Sequence, residues 1–426
     1  MPTVLRTMKA ESAATGLRSI LIATAVAGLL GYGIQLLAPA LLPDGQAYVT
    51  FSMYWSTLYL CVAALSGVQQ EVTRAAHPST ASATAPTIRS FALIIIAVVL
   101  AAVTAVAVSA GPVVFRGPTV ALAVALGAGL VGYVLIAVLG GVLYGLHLWN
   151  AVAALTIIDV GIRAVLVLTA FLAGWSPEAV AFAVSLPFGL AFLLVWLWTR
   201  RRVVGAFRLD VRLGRLLANA AGTVTAAAAM GVMMNGMPLL LGVAAGDADE
   251  VVLAGLILTI TLTRAPLVVP LLALQSFLIS LFRGAGRAVT RRVLSALALA
   301  AVAVALLAGA AWLIGPWVIQ SISRGQYEIT PAMMATITAS AGLVGMMCVT
   351  GPALVGRNRH VPYTAGWVIA AVLTVLALAA PLPFDARLTL ALLAPPAIGL
   401  LVHVVAVWRH PEVDPAPLTA GGGSGR

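Results

Sequence analysis

Charge is scarce in this chain. Only 9% of its 426 residues are Asp, Glu, Lys or Arg, against about 25% in an ordinary soluble protein. Lysine is almost missing: Lys9 stands alone beside 23 arginines. Cysteine is rare, and Cys61 and Cys348 lie far apart in apolar runs, without metal-ligand spacing or a disulfide framework, so both read as small core residues. The five histidines, His77, His147, His360, His403 and His410, are scattered. Loop solvation or interfacial placement accounts for them better than a metal site does. The glycine-rich loop that cradles ATP phosphates is missing, so no ATPase is built in. These absences leave no catalytic constellation, no metal site and no cofactor to name.

Apolar residues fill the place of the missing charge, at 62% of the chain. A water-soluble fold of this size cannot hide so many, because its surface needs more polar cover. Disorder is excluded by the same composition. The chain therefore reads as an all-α polytopic membrane protein. A spanning helix needs about 20 mostly apolar residues. Twelve stretches qualify: 19–42, 47–69, 88–110, 119–146, 150–173, 178–199, 216–243, 251–282, 293–319, 332–355, 362–381 and 387–408. Turn and charge signals such as Pro43-Asp44-Gly45 and Gly174-Trp175-Ser176-Pro177 separate them. The first stretch is too long for a signal-peptide core and reads as a retained helix.

The arginines orient these helices. With the N-terminus in the cytoplasm, 19 of the 24 basic residues fall in cytoplasmic segments and only Arg116, Arg324 and Arg387 in outer loops. That bias predicts an even number of spans with both termini inside. Six arginines between Arg200 and Arg215 set topology and meet the anionic inner leaflet. The net charge of +11 is thus spent on the membrane, and nucleic acid is not implied.

The same arginine-rich loop divides the chain. Residues 1–207 form an N-terminal lobe of helices one to six, 208–410 a C-terminal lobe of helices seven to twelve, and 411–426 a flexible cytoplasmic tail. Because six is even, any repeat relating the lobes is parallel. Two such six-helix lobes enclose a central cavity at their interface, where a transporter binds cargo.

Ionised side chains at bilayer depth cost about 2.5–3.5 kcal/mol each and demand a reason. Asp159 and Arg163 are four residues apart on helix five and able to pair. They form either a self-neutralising pair or a functional unit, with Asp159 as a cation or proton site and Arg163 tuning it or binding an anion. Arg264 on helix eight has no acid within one turn. It faces either a wet cavity or a distant acid such as Asp159. Gln275 lies three turns on, along the same face, and Pro266 and Pro270 interrupt this helix as hinges. Helix two carries the stripe Ser52, Trp55, Tyr59, Ser66, Gln70 and Arg74, with Glu71 beside Arg74. Helix one offers Thr24, Gly28, Gly31 and Gln35, a face suited to close packing. On helix seven, Met230, Met233, Met234 and Met237 surround Asn235, with Pro238 as a third hinge; the methionines are either core or the wall of a cavity for a long lipid tail.

Two six-helix lobes, the helix-two ending Ser66-Gly67-Val68-Gln69-Gln70-Glu71-Val72-Thr73-Arg74 and the run Thr263-Arg264-Ala265-Pro266-Leu267 with Gln275 resemble bacterial polysaccharide flippases of the MOP superfamily, which also holds the MATE drug exporters and the lipid II flippase. The resemblance implies alternating access for a lipid-linked, polyprenyl-diphosphate saccharide in the bacterial inner membrane. Its diphosphate would be held by Arg264, Arg163 and Arg74, with Gln275, Gln70 and Asn235 in the cavity. Asp159 would couple transport to an H+ or Na+ gradient. The implied partners are the lipid-linked substrate, membrane lipids and proteins of envelope glycan synthesis. Helix one lacks the acid that MATE exporters use for coupling, and the two extra helices of the lipid II flippase are missing. An ion-coupled exporter of amphiphilic small molecules is the alternative, and a membrane glycosyltransferase a more distant one.

Overall fold

A computed structural model describes residues 2–79, 85–246, 249–273, 278, 282, 287–357 and 359–409, with side chains outside that description over 2–15, at 17, 85 and 86, and at most positions from 265 to 289. Thirteen helices make up the described chain. The N-terminal lobe holds α1 (Pro2–Leu41), α2 (Gly45–Ala75), α3 (Ala85–Phe115), α4 (Thr119–Gly145), α5 (Trp149–Leu172) and α6 (Pro177–Val203). The C-terminal lobe holds α7 (Leu213–Asn235), α8 (Met237–Ala244), α9 (Glu250–Ala273), α10 (Arg287–Ile322), α11 (Pro331–Val355), α12 (His360–Leu378) and α13 (Phe384–Trp408). Eleven of these are long and apolar enough to cross a bilayer among the described residues. The remaining apolar stretch, 251–282, is helical as α9 and then runs beyond the described residues. This is a multi-pass membrane protein of two helical lobes. The tail 411–426 and Gln275 lie outside the described residues.

The lobes repeat one packing scheme. In the first, α1 packs on α5, α2 and α6 on α4, and α3 on α4. In the second, α7 packs on α12, α9 and α13 on α11, and α10 on α11. Helix for helix these are the same neighbours, as a repeat of the six-helix lobe would have them. The outermost helices, α3 and α10, have almost no buried window, and their leucines and valines face outward as a lipid-solvated surface should.

One long expected helix is two in the structure. The stretch 216–243 breaks at Gly236, between α7 and α8. Pro238 sits in the first turn of α8, where its missing N–H costs nothing. His403 also departs from expectation. It is fully buried within the C-terminal lobe rather than in a loop or interface. Its Nδ1 meets Thr350 Oγ1 at 2.9 Å and its Nε2 meets the Tyr363 carbonyl at 3.0 Å, so both ring nitrogens are satisfied and burial is tolerable.

The lobes meet chiefly along α2 and α7. Gly67 lets the backbones close: a Cβ there would lie 2.5 Å from the Thr223 carbonyl carbon, and Thr223 Oγ1 donates to the Gly67 carbonyl at 2.8 Å. Gly231 does the same against Ala63. At the arginine-rich end, short strands β1 (Ala76–Pro78) and β2 (Phe207–Leu209) pair antiparallel, with His77 opposite Arg208. They strap the α2–α3 connection to the segment joining the lobes. Three-residue strands in polar connections leave no periodicity to read in sequence.

Candidate functional site

A cavity of about 480 Å³ lies where the lobes face each other. It is within the range of a small-molecule site. The N-terminal lobe supplies α1 (Gly28, Gly31, Tyr32, Gln35), α2 (Ser52, Trp55, Ser56, Tyr59) and a polar floor from α4 to α6 (Tyr133, Thr156, Asp159, Arg163, Phe188). The C-terminal lobe supplies Met230, Met234 and Asn235 from α7, Pro238 from α8 and Ile260, Thr261 and Arg264 from α9. At 1.5 Å per residue, Asp159 lies about 15 Å along α5 and Arg264 about 21 Å along α9, so both sit near mid-membrane.

Each lobe buries one arginine at this wall, with opposite outcomes. Arg163 is 2% exposed, and each of its three nitrogens has a hydrogen-bond partner. Its Nη2 donates to Asp159 Oδ1 at 2.6 Å, its Nη1 to the Tyr59 hydroxyl at 2.6 Å and its Nε to the Val184 carbonyl at 2.9 Å. Its guanidinium carbon also stands 4.1 Å from the Phe188 ring centre. The pairing with Asp159 is the contact that four-residue spacing foretold. Asp159 is not sealed in with its partner: its side chain keeps 17% exposure, and among the described residues its second oxygen takes no hydrogen bond. That oxygen is free to meet a proton or a cation.

Arg264 is 7% exposed and nearly unpartnered. Its Nη1 donates to the Met233 carbonyl at 2.6 Å. Its Nε is buried without a hydrogen-bond partner, and no carboxylate bridges to it among the described residues. Leaving a buried charged donor unsatisfied costs about 1–3 kcal/mol or more. A guanidinium in that state at a cavity wall has N–H donors left over that an acceptor could meet.

The broken helix opens onto the same cavity. Leu239 N–H and the Asn235 carbonyl would bond to each other in an unbroken helix. Instead, Ser56 Oγ of α2 stands between them, donating to the Asn235 carbonyl and accepting from Leu239 N at 3.2 Å. The far end of α8 is closed by Arg116, which donates to the Gly242 and Gly246 carbonyls at 2.8 and 2.6 Å, and by Arg387, which donates to Ala244 at 2.7 Å. The expectation for helix seven thus divides: Asn235, Pro238, Met230 and Met234 reach the cavity, while Met233 and Met237 pack in the core. Sequence reasoning missed Ser56, Tyr32, Tyr133 and Thr156. Ser56 shares a helical face with Ser52, the one signal available.

Helix two's stripe does not stay in the cavity. Ser52, Trp55 and Tyr59 line it, but Gln70 is exposed and Arg74 is elsewhere. Arg74 lies 19 residues beyond Trp55, about 28 Å along a straight helix. There its Nε and Nη2 clasp Glu71 at 2.8 and 2.6 Å and its Nη1 reaches Asp210 at 3.1 Å. Buried Glu71 also accepts from Asn219 of α7 at 2.9 Å. Arg74 therefore fastens the lobes at the arginine-rich end. Pro266 and Pro270 fall within α9, which runs helical through both to Ala273.

No family model matches the chain. It is 34% identical over 408 residues to an uncharacterized protein of Mycobacterium bovis and to one of Mycobacterium tuberculosis, covering 92% of this chain and 91% of theirs. A second Mycobacterium tuberculosis protein is 30% identical over 404 residues, with the same coverage. Among solved structures, the fold resembles a multidrug resistance MATE family transporter of the MOP superfamily. Its inward-facing form gives a TM-score of 0.58 at 13% identity, over 91% of this chain and 97% of that one. Its outward-facing form gives 0.57 at 15%, over 92% and 94%. A MOP superfamily transporter from Pyrococcus furiosus, described as having a binding pocket of reverse polarity, gives 0.56 at 15%, over 92% and 94%.

Proposed function

The chain belongs to one family with these mycobacterial proteins, and on that premise we propose that it moves a lipid-linked saccharide, carried on a polyprenyl diphosphate, across a bacterial inner membrane by alternating access. The observation that carries this reading is Arg264: a cavity-wall guanidinium with one carbonyl partner, an orphaned Nε and no carboxylate among the described residues. A diphosphate supplies the acceptor oxygens that Arg264 lacks. Trp55 and Tyr59, stacked with ring centres 4.7 Å apart, give a flat aromatic wall for a sugar ring beside hydroxyls and Asn235. The lipid tail stays in the bilayer, so only the headgroup needs this polar seam. No bond is made or broken, and no catalytic group is required.

The arginine distribution supports cytoplasmic termini. Arg264 grips the phosphate, while Asp159, held at one oxygen by Arg163 and open at the other, couples the cycle to H+ or Na+. That open oxygen also favours a second reading, an ion-coupled exporter of amphiphilic small molecules. Depleting the protein in its host distinguishes them. Accumulation of lipid-linked saccharide in the inner leaflet is expected; altered drug resistance with a normal envelope supports the exporter instead. Proteins of envelope glycan synthesis would then act upstream and downstream of the transported lipid.

A further inference from the structure

Away from the lobe interface, a second cavity of about 240 Å³ opens beside α3, α4 and α6 at the arginine-rich end. Its walls are apolar. Val138 and Leu139 of α4 face Phe192 and Trp196 of α6, whose rings stack 6.3 Å apart at 8°. Phe207, on the segment that joins the lobes, closes its floor. Among the described residues one charged side chain lines it, Arg89, exposed in the early turns of α3. Leu93, Leu193 and Leu197, next in sequence to the lining residues Ala92, Phe192 and Trp196, are all exposed and suit a lipid-facing surface. An apolar cavity of about 150 Å³ already takes up a benzene-sized guest. This slot therefore has room for a run of chain methylenes.

We propose that it binds an anionic phospholipid of the leaflet at the arginine-rich end, with one acyl chain between α4 and α6 and its phosphate on Arg89. Depth and charge choose this occupant. The slot lies near the ends of α3 and α6 at the arginine-rich end, and Arg89 in its lining supplies the charge that a phosphate would meet. The site is separate from the central cavity and independent of what that cavity carries.

The test uses the full chain in nanodiscs doped with phosphatidylglycerol or phosphatidylcholine bearing the same photoactivatable acyl chain, with cross-linked peptides mapped by mass spectrometry. Phosphatidylglycerol is expected to label the α4 and α6 peptides about fivefold more than phosphatidylcholine, the size of one arginine–headgroup attraction. Arg89→Gln, an exposed change that spares the fold, is expected to bring the two labels level. Val138→Phe is expected to reduce both by filling the slot. Equal labelling by the two lipids in the unaltered protein, an unchanged ratio in Arg89→Gln, or label spread evenly over the lipid faces of α3 and α10 each overturns the site.

Discussion

Arg163 and Arg264 stand at the same cavity wall, one from each lobe, and differ in what holds them. Arg163 spends its donors on a carboxylate, a phenol and a carbonyl. Arg264 has one carbonyl. Burial alone therefore does not separate the two; the count of unmet donors does. The fully engaged nitrogens of Arg163 tie Asp159, Tyr59 and the α6 backbone together in the N-terminal half of the cavity. The other leaves its Nε without a partner.

Four substitutions break or sharpen that contrast. Arg163→Ala strips the partner from a buried carboxylate and is expected to cost about 3–5 kcal/mol of stability, read as a lowered midpoint of thermal aggregation in detergent. Adding Asp159→Asn should recover part of that loss, since no unpaired charge remains; no recovery would mean that Arg163 acts mainly through Tyr59 and Val184. Arg264→Ala should leave the fold intact and lower transport about a hundredfold, the equivalent of losing about 3 kcal/mol of charge-assisted hydrogen bonds. Full complementation by this variant removes Arg264 from the site. Asp159→Asn alone keeps an acceptor for Arg163, so folding should survive while transport loses its dependence on the ion gradient, measured with imposed gradients in proteoliposomes. Arg74→Gln should have the smallest effect, leaving phosphate affinity unchanged, because the side chain is 47% exposed and far from the cavity. A loss of affinity comparable to that of Arg264→Ala would contradict the separation of these two arginines.

Much of the site was legible from local rules. Asp159 and Arg163 pair because a helix brings residues four apart together. Arg264 was conspicuous because a cation in an apolar run needs a reason. Pro238 stood out as a hinge, and the break between α7 and α8 falls beside it at Gly236, although the expected helix ran through it. Arg74 shows where a stripe misleads: one helical face can be polar along its whole length while only part of it meets the cavity. Ser56 shows what no single helix can reveal, because its role exists only once α2 lies against the gap between α7 and α8.

Composition and apolar run lengths determined the membrane, its multiple helical crossings and the scheme of two lobes, because bilayer thickness and backbone satisfaction permit little else. Which buried polar groups would find partners was settled by tertiary structure alone. Hydrogen bonding acts over about 3 Å, a scale set by how helices rotate and approach. That is why Arg163 became a strut, Arg264 an open hand and Arg74 a fastener.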